Sequence, residues 1–215
     1  MPVPEDSPGP IRVVVIDDHP MMREGIVGLL HRQSDMSVVG EGEDGRTGAE
    51  LVEQLRPDIV LMDMQMPGMD GMEAIKHIRR SDNRTCIIVL TTYPGDSQAR
   101  AALAAGANGY LLKTCIRKDL LDAIRSAHSG RRVLSPEVAH AIAVHAYIDP
   151  LTEREKQVLR GVARGQANKE IARLIGVSTD TVKSDLKTIF SKLDVADRTQ
   201  AVVVALRRGE LKLLD

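Results

Sequence analysis

The sequence predicts two domains: an α/β domain on a five-stranded parallel, doubly wound sheet, then an all-α domain of four helices. Three observations lead there. Short β-branched apolar runs alternate with stretches of helical period from Ile11 to about Gly130, as right-handed βα units around a parallel sheet require. The runs IRVVVI and CIIVL are apolar on both faces, as strands covered by helices on both sides should be. After Pro150 no strand pattern returns, and helix start and stop signals follow one another instead.

The strands fall at Ile11–Ile16, Ser37–Gly40, Ile59–Met62, Cys86–Leu90 and Gly109–Leu112. Between them, Met22, Ile26, Leu29 and Leu30 share one helical face, as do Ala49, Val52 and Leu55, then Met72, Ile75 and Ile78. Leu120, Leu121, Ile124 and Ala127 mark the fifth helix. His19 and Pro20 read as the start of the first, with Pro at an early helical position. Residues 1–10, rich in Pro and acid, read as a disordered leader, and 11–130 as the first domain. Residues 131–149 form a linker, helical from Pro136 to Ala146. The second domain is 150–215. Thr152 and Glu155 make a capping box for a helix from Glu153 to Ala163, which Gly165 ends. A short helix, Asn168–Leu174, stops at Gly176. Ser178 or Thr179 caps a longer one to Leu193, and Arg198–Arg208 is the last, ended by Gly209.

Composition narrows the function. With 43% hydrophobic and 27% charged residues in 215, the chain is globular and not disordered. Four aromatic residues, Tyr93, Tyr110, Tyr147 and Phe190, are too few for a binder that stacks bases on rings. Two cysteines exclude a disulfide framework and a four-thiolate zinc site, and fit a reducing cytoplasm. No apolar run reaches membrane-spanning length, so no membrane partner is expected. The net charge of −1 hides an asymmetry. Residues 150–215 carry 13 Lys+Arg against 9 Asp+Glu, and 1–149 carry 16 against 21. A basic second half points to a polyanion as its partner.

Open parallel sheets place their sites at the carboxyl ends of strands. Strand one ends in Asp17 and Asp18, strand three in Asp63, strand four in Thr91 and strand five in Lys113. Crowded carboxylates repel and need a cation, and an all-oxygen set beside a phosphate suits Mg²⁺. Asp63 could then attack phosphorus, with Thr91 and Lys113 stabilising the phosphoryl oxygens. The methionines Met62, Met64, Met66, Met69 and Met72 read as core and loop filling, since no Cys or His joins them at ligand spacing.

These residues, in the pattern VVVIDDHP, LMDMQMPGMDG, LTTY and GYLLK, resemble the receiver domain of a two-component response regulator, over about 11–130. The resemblance implies a flavodoxin-like fold with Asp63 as phosphoacceptor. It implies that Asp18 is a Mg²⁺ ligand, with Asp17 the second acid and Gln65 giving a backbone carbonyl. Thr91 and Lys113 become the switch hydroxyl and the phosphate-binding lysine, and Tyr110 takes the aromatic switch position.

In the second half, a short helix, a turn containing Gly176 and a longer helix make a helix-turn-helix. Val182, Leu186, Ile189, Phe190 and Leu193 form its buried stripe, leaving Asp180, Lys183, Ser184, Lys187 and Ser191 opposite, a face suited to the major groove. The pieces LTEREKQVL, NKEIA, TVKS and DRTQAV resemble the LuxR-type DNA-binding domain of NarL/FixJ-class regulators, over about 148–212. The resemblance implies groove contacts at Lys183, Ser184 and Lys187, backbone contacts at Lys169 and Thr181, and a dimer contact on the last helix. Two departures stand out. Asp185 replaces a common His, and Asp194 a common Gly.

Together the two resemblances imply a transcriptional regulator. A sensor histidine kinase would phosphorylate Asp63, and phosphorylation would drive homodimerisation and binding to double-stranded promoter DNA. Beyond accepting and losing that phosphoryl group, no enzyme activity is expected, because Gln65 stands where a phosphohydrolase would carry a second acid. The alternatives are a phosphotransfer module whose helical tail binds protein, or a regulator that works without phosphorylation.

Overall fold

In the computed structural model, residues 9–92, 95–144 and 150–211 are described. Most of the expected leader, and the end of the linker helix expected to reach Ala146, lie outside them. The chain divides into two compact units. One is centred on a sheet and runs to Pro136; the other runs from Glu137 and also takes in 95–100.

From Ile11 to His128 the chain alternates as expected: β1 (Ile11–Ile16), α1 (Pro20–Leu30), β2 (Met36–Gly42), α2 (Gly45–Leu55), β3 (Ile59–Asp63), α3 (Gly71–Ser81), β4 (Cys86–Thr91), α4 (Asp96–Ala104), β5 (Gly109–Leu112) and α5 (Ile116–His128). The strands are parallel. One strand was not expected. The sheet has six strands, not five, in the order β2-β1-β3-β4-β5-β6. Strand β6 (Val133–Leu134) pairs with Gly109 and Tyr110 of β5, inside the stretch read as linker. Two residues are too short to carry a periodic signal. They become a strand because the outer edge of β5 offers unpaired backbone groups. Helix α4 also gave no amphipathic signature, being rich in alanine.

The alternation of the strands divides the core. Val13, Val15, Leu61, Ile88, Leu90 and Leu111 pack with Ile26 and Leu30 of α1 and Leu120 and Ile124 of α5. On the other face Val14, Ile16, Val60, Met62, Ile87 and Val89 are also fully buried, and α2 lies close enough that Gly48 faces the Ile16 side chain. Asp44 caps α2 through Thr47 N (2.7 Å), and Asp70 caps α3 through Glu73 N (2.9 Å), each satisfying an otherwise orphan donor.

Arg79 of α3 holds the far end of this unit together. Its guanidinium donates to the carbonyls of Gly106 (3.0 Å), Asp82 (3.0 Å) and Thr85 (2.8 Å) and to Asn108 Oδ1 (3.0 Å). Asn108 Oδ1 in turn accepts from Ile87 N (3.0 Å). One side chain thus ties the end of α3, the start of β4 and the loop before β5. Arg79→Ala orphans several of these acceptors and should cost about 3 kcal/mol, measured as a lower urea midpoint for the sheet unit.

The second unit contains α6 (Pro136–Val144), α7 (Glu153–Ala163), α8 (Asn168–Ile175), α9 (Thr179–Leu193) and α10 (Arg198–Arg207). The expected capping box is present: Glu155 N donates to Thr152 Oγ1 (3.3 Å) and Thr152 N to Glu155 Oε2 (2.6 Å). Gly165, Gly176 and Gly209 all have positive φ, as helix-ending glycines should. Val158, Leu159, Ile171, Val182, Ile189 and Ala205 build the core. Among the described residues no helix is long and apolar enough to cross a membrane.

Candidate functional site

The chain passes from β1 outward to β2 and returns to β3 on the other side of β1. That reversal opens a crevice at the carboxyl ends of β1 and β3, where Asp17, Asp18 and Asp63 lie. Asp17 is fully buried and Asp63 is 2% exposed. Lys113, at the end of β5, reaches both: its Nζ lies 2.8 Å from Asp17 Oδ2 and 2.8 Å from Asp63 Oδ2. Thr91, at the end of β4, is buried beside them. The expected residues of the sheet edge therefore converge.

Burial pushes the Asp63 carboxyl above the ordinary carboxylate range. Lys113 works against that shift and the Asp17 charge adds to it. For Lys113, burial acts downward, but hydrogen bonds and charge from Asp17 and Asp63 prevail and hold its pKa above the ordinary value. Two buried carboxylates thus share one ammonium. The ionised form of Asp63 is held at a cost that further positive charge would relieve.

The loop after β3 folds tightly over Asp63. Gln65 N donates to Asp63 Oδ1 (3.3 Å), and Gly71 N donates to Met64 O (3.2 Å). A Cβ at Gly71 would collide with the Asp63 carbonyl oxygen, so only glycine lets α3 start this close to the acid. Tyr110 is wholly buried in β5. Burial pushes its phenol up to about 12, with the neighbouring Thr91 acting the other way. The aromatic and hydroxyl positions lie near one another on the paired strands β4 and β5.

Two residues join the site beyond those expected. His19 does start α1 and is followed by Pro20, but its imidazole also comes to the acids, with Nδ1 2.7 Å from Asp18 Oδ1. Arg23 Nη1 donates to the Asp17 carbonyl (2.6 Å) and steadies the β1 end. The His beside the acid pair was visible in sequence; the reach of Arg23 across the first turn was not. Asp17, Asp18, His19 and Asp63 each offer a ligand atom within 4.8 Å of the others. A separate cavity of about 1000 Å³ opens at the opposite ends of the strands, beside Arg56, Asp58, Asp82 and Arg84. Its mixed charges converge on no reacting position.

In the second unit, Lys183, Ser184 and Lys187 are exposed along one face of α9, while Val182, Leu186 and Ile189 are buried. Lys169 is exposed on α8 and Thr181 half-buried at the start of α9. Ser178, the N-cap of α9, receives Thr181 N at 3.0 Å and lies 2.8 Å from the Thr181 hydroxyl. Lys183 forms a solvent-exposed pair with Asp180 (2.9 Å), a contact worth little in water and easily exchanged.

The two departures now have locations. Asp185 turns away from the lysine face: it is 6% exposed and accepts from Arg154 Nη2 of α7 at 2.8 Å. One residue on, Glu155 meets Lys192 of α9, also at 2.8 Å. Asp194 ends α9 in the left-handed region, φ 55° and ψ 55°, where glycine is the unstrained choice.

Comparison with known proteins agrees with this division. Residues 13–125 match the response regulator receiver domain, and residues 149–205 match the bacterial regulatory proteins of the luxR family. The chain is 43% identical to the transcriptional regulatory protein LiaR of Bacillus subtilis over 205 residues, 92% of this chain and 97% of LiaR. It is 40% identical to the response regulator protein VraR of Staphylococcus aureus over 204 residues, 93% of this chain and 98% of VraR. Among solved structures, RcsB dimers bound to two parallel DNAs match with a TM-score of 0.71 at 29% identity, over 93% of this chain and 99% of the RcsB chain. The response regulator ChrA of a heme-sensing two-component system matches with a TM-score of 0.56 at 36% identity, over 95% of this chain and all of ChrA.

Proposed function

Because the chain belongs to the response regulators that join a receiver domain to a LuxR-family DNA-binding domain, we propose that Asp63 is its phosphoacceptor and that phosphorylation there controls its grip on promoter DNA. The observation that carries the reading is the shared ammonium: Lys113 lies 2.8 Å from both Asp17 and Asp63. A phosphoryl group on Asp63 would present new oxygens to a cation already in place.

The donor is the phosphohistidine of a sensor kinase. A carboxylate oxygen of Asp63 bonds to phosphorus as the phosphorus–nitrogen bond breaks and its electron pair returns to the imidazole. Asp17, Asp18, Asp63 and the Gln65 carbonyl would hold Mg²⁺. The hard oxygen donors fit it, and the three carboxylates come within 4.8 Å of one another. Bound there, the ion supplies charge that offsets the phosphoryl oxygens and the crowded acids. Lys113 orients the acceptor and holds the opposing charge. The Thr91 hydroxyl turns to a phosphoryl oxygen, and Tyr110, buried beside Thr91 on the next strand, repacks with it. Spontaneous hydrolysis of the acyl phosphate ends the signal, and no other substrate is processed.

The output is dimerisation through α10 and binding of double-stranded promoter DNA in the cytoplasm. Lys183, Ser184 and Lys187 enter the major groove, and Lys169 and Thr181 meet the backbone. Turning an equilibrium from about 1:99 to about 99:1 takes about 5.5 kcal/mol, within reach of several charge-assisted hydrogen bonds to one dianion.

Beryllofluoride with Mg²⁺ mimics the acyl phosphate and tests this coupling. Loaded protein should dimerise in sedimentation and bind the promoter of its own operon at least about tenfold more tightly, an ordinary allosteric coupling. Unchanged affinity and mass in protein shown to carry the mimic would overturn the reading.

A further inference from the structure

The pair between Arg154 and Asp185 joins α7 to the helix that bears Lys183 and Lys187. Its two members are unequally placed. The Asp185 side chain is 8% exposed, and its Oδ2 is buried with no hydrogen-bond partner among the described residues. The Arg154 side chain is 58% exposed and gives one Nη2 donor to Asp185 Oδ1 at 2.8 Å. A guanidinium carries five N–H donors in a rigid fork, so most of its donors face outward while one is anchored.

The anchor sits on a particular edge of α9. Asp185 is four residues after Thr181, so the two share one side of the helix. Thr188, exposed, lies on the same side. That side borders the face of Lys183, Ser184 and Lys187. A helix seated in the major groove turns its flanks toward the sugar-phosphate strands, and Arg154 stands on one of these flanks. A simple interhelical tie needs no such exposure. The neighbouring tie shows the contrast: Lys192, joined to Glu155, is only 20% exposed and also donates to the Pro150 carbonyl (3.3 Å).

We propose that Arg154 is a further DNA-backbone contact of this chain, its guanidinium held toward a phosphate by Asp185 acting as a positioning residue. The proposal rests on the reading of the second unit as a duplex-binding domain. It gives Asp185, an acid on a DNA-reading helix, a role: buried, it neutralises little of the lysine face and instead fixes a cation at that face's edge. Arginine suits the task, since it can hold carboxylate and phosphate at once through different edges of the fork.

The test uses the full chain and a short duplex of random sequence, with affinity followed by anisotropy over a range of KCl. Each phosphate contact adds nearly one to the slope of log K against log salt. Arg154→Ala should therefore lower the slope by about one. So should Arg154→Gln, which keeps a donor for Asp185 and guards against a folding defect in the alanine variant. Asp185→Ala should weaken binding in the wild-type background and cost nothing further in Arg154→Ala, because one residue acts through the other. Wild-type slopes in both Arg154 variants, or additive losses in the double variant, would overturn the proposal. Lys183→Ala with Lys187→Ala is the control. If that variant also binds as wild type does, the duplex reading itself has failed, an outcome distinct from failure at Arg154 alone.

Discussion

Asp63→Asn is expected to take up no phosphoryl group from acetyl phosphate and Mg²⁺, while wild-type protein is labelled. The amide oxygen is a far weaker nucleophile than the carboxylate; Asp17 shares the burial of Asp63 and its 2.8 Å pair with Lys113, but Asp63 is the described acid whose carbonyl packs against Gly71 at the start of α3. The variant should fold. It removes one of two buried negative charges that share a single ammonium and leaves Lys113 its pair with Asp17 (2.8 Å). Because burial and Asp17 already disfavour the ionised Asp63, losing its charge should leave the melting temperature equal or higher. Phosphoryl retained on a folded Asp63→Asn protein, read by mass spectrometry, would place the acceptor elsewhere.

Lys183→Ala combined with Lys187→Ala is expected to lower affinity for the cognate promoter at least about a hundredfold, since each good groove contact is worth about 1–3 kcal/mol. The salt slope should fall by about two where both ammonium groups displace counterions. The loss at Lys183 has a second source. Its exposed pair with Asp180 (2.9 Å) would be gone, and that carboxylate would face the duplex unmasked. Both lysines are exposed and outside the helical core, so stability should change little. Binding equal to wild type would move the contact surface off this face of α9 and favour a protein as the partner of the tail.

Much of the molecule was legible in the linear chain. Ile11–Ile16 and Gly109–Leu112 were bounded to the residue, and Asp17, Asp18, Asp63, Thr91 and Lys113 fell at strand ends from the pattern of the chain alone. The helix-turn-helix followed from Gly176, the capping residues and the stripe at Val182, Leu186, Ile189 and Leu193. Strand β6 and helix α4 were not legible. The first is two residues long and exists by pairing with β5. The second is too alanine-rich to show an apolar face.

Asp185 shows the same divide most sharply. By sequence it is a negative charge on a DNA-reading helix and an apparent obstacle to binding. In the folded domain it is buried against Arg154, 31 residues away along the chain. The chain alone determined which segments are strands and helices and which side chains end at the crevice, because periodicity, caps and strand ends are local and repeat at known intervals. Tertiary structure alone decided that one lysine serves two acids, that Tyr110 is sealed inside beside Thr91, and that Asp185 turns inward to an arginine. Those outcomes depend on which distant groups meet and how much water is left between them, and contact and desolvation between remote residues leave no mark in the local pattern.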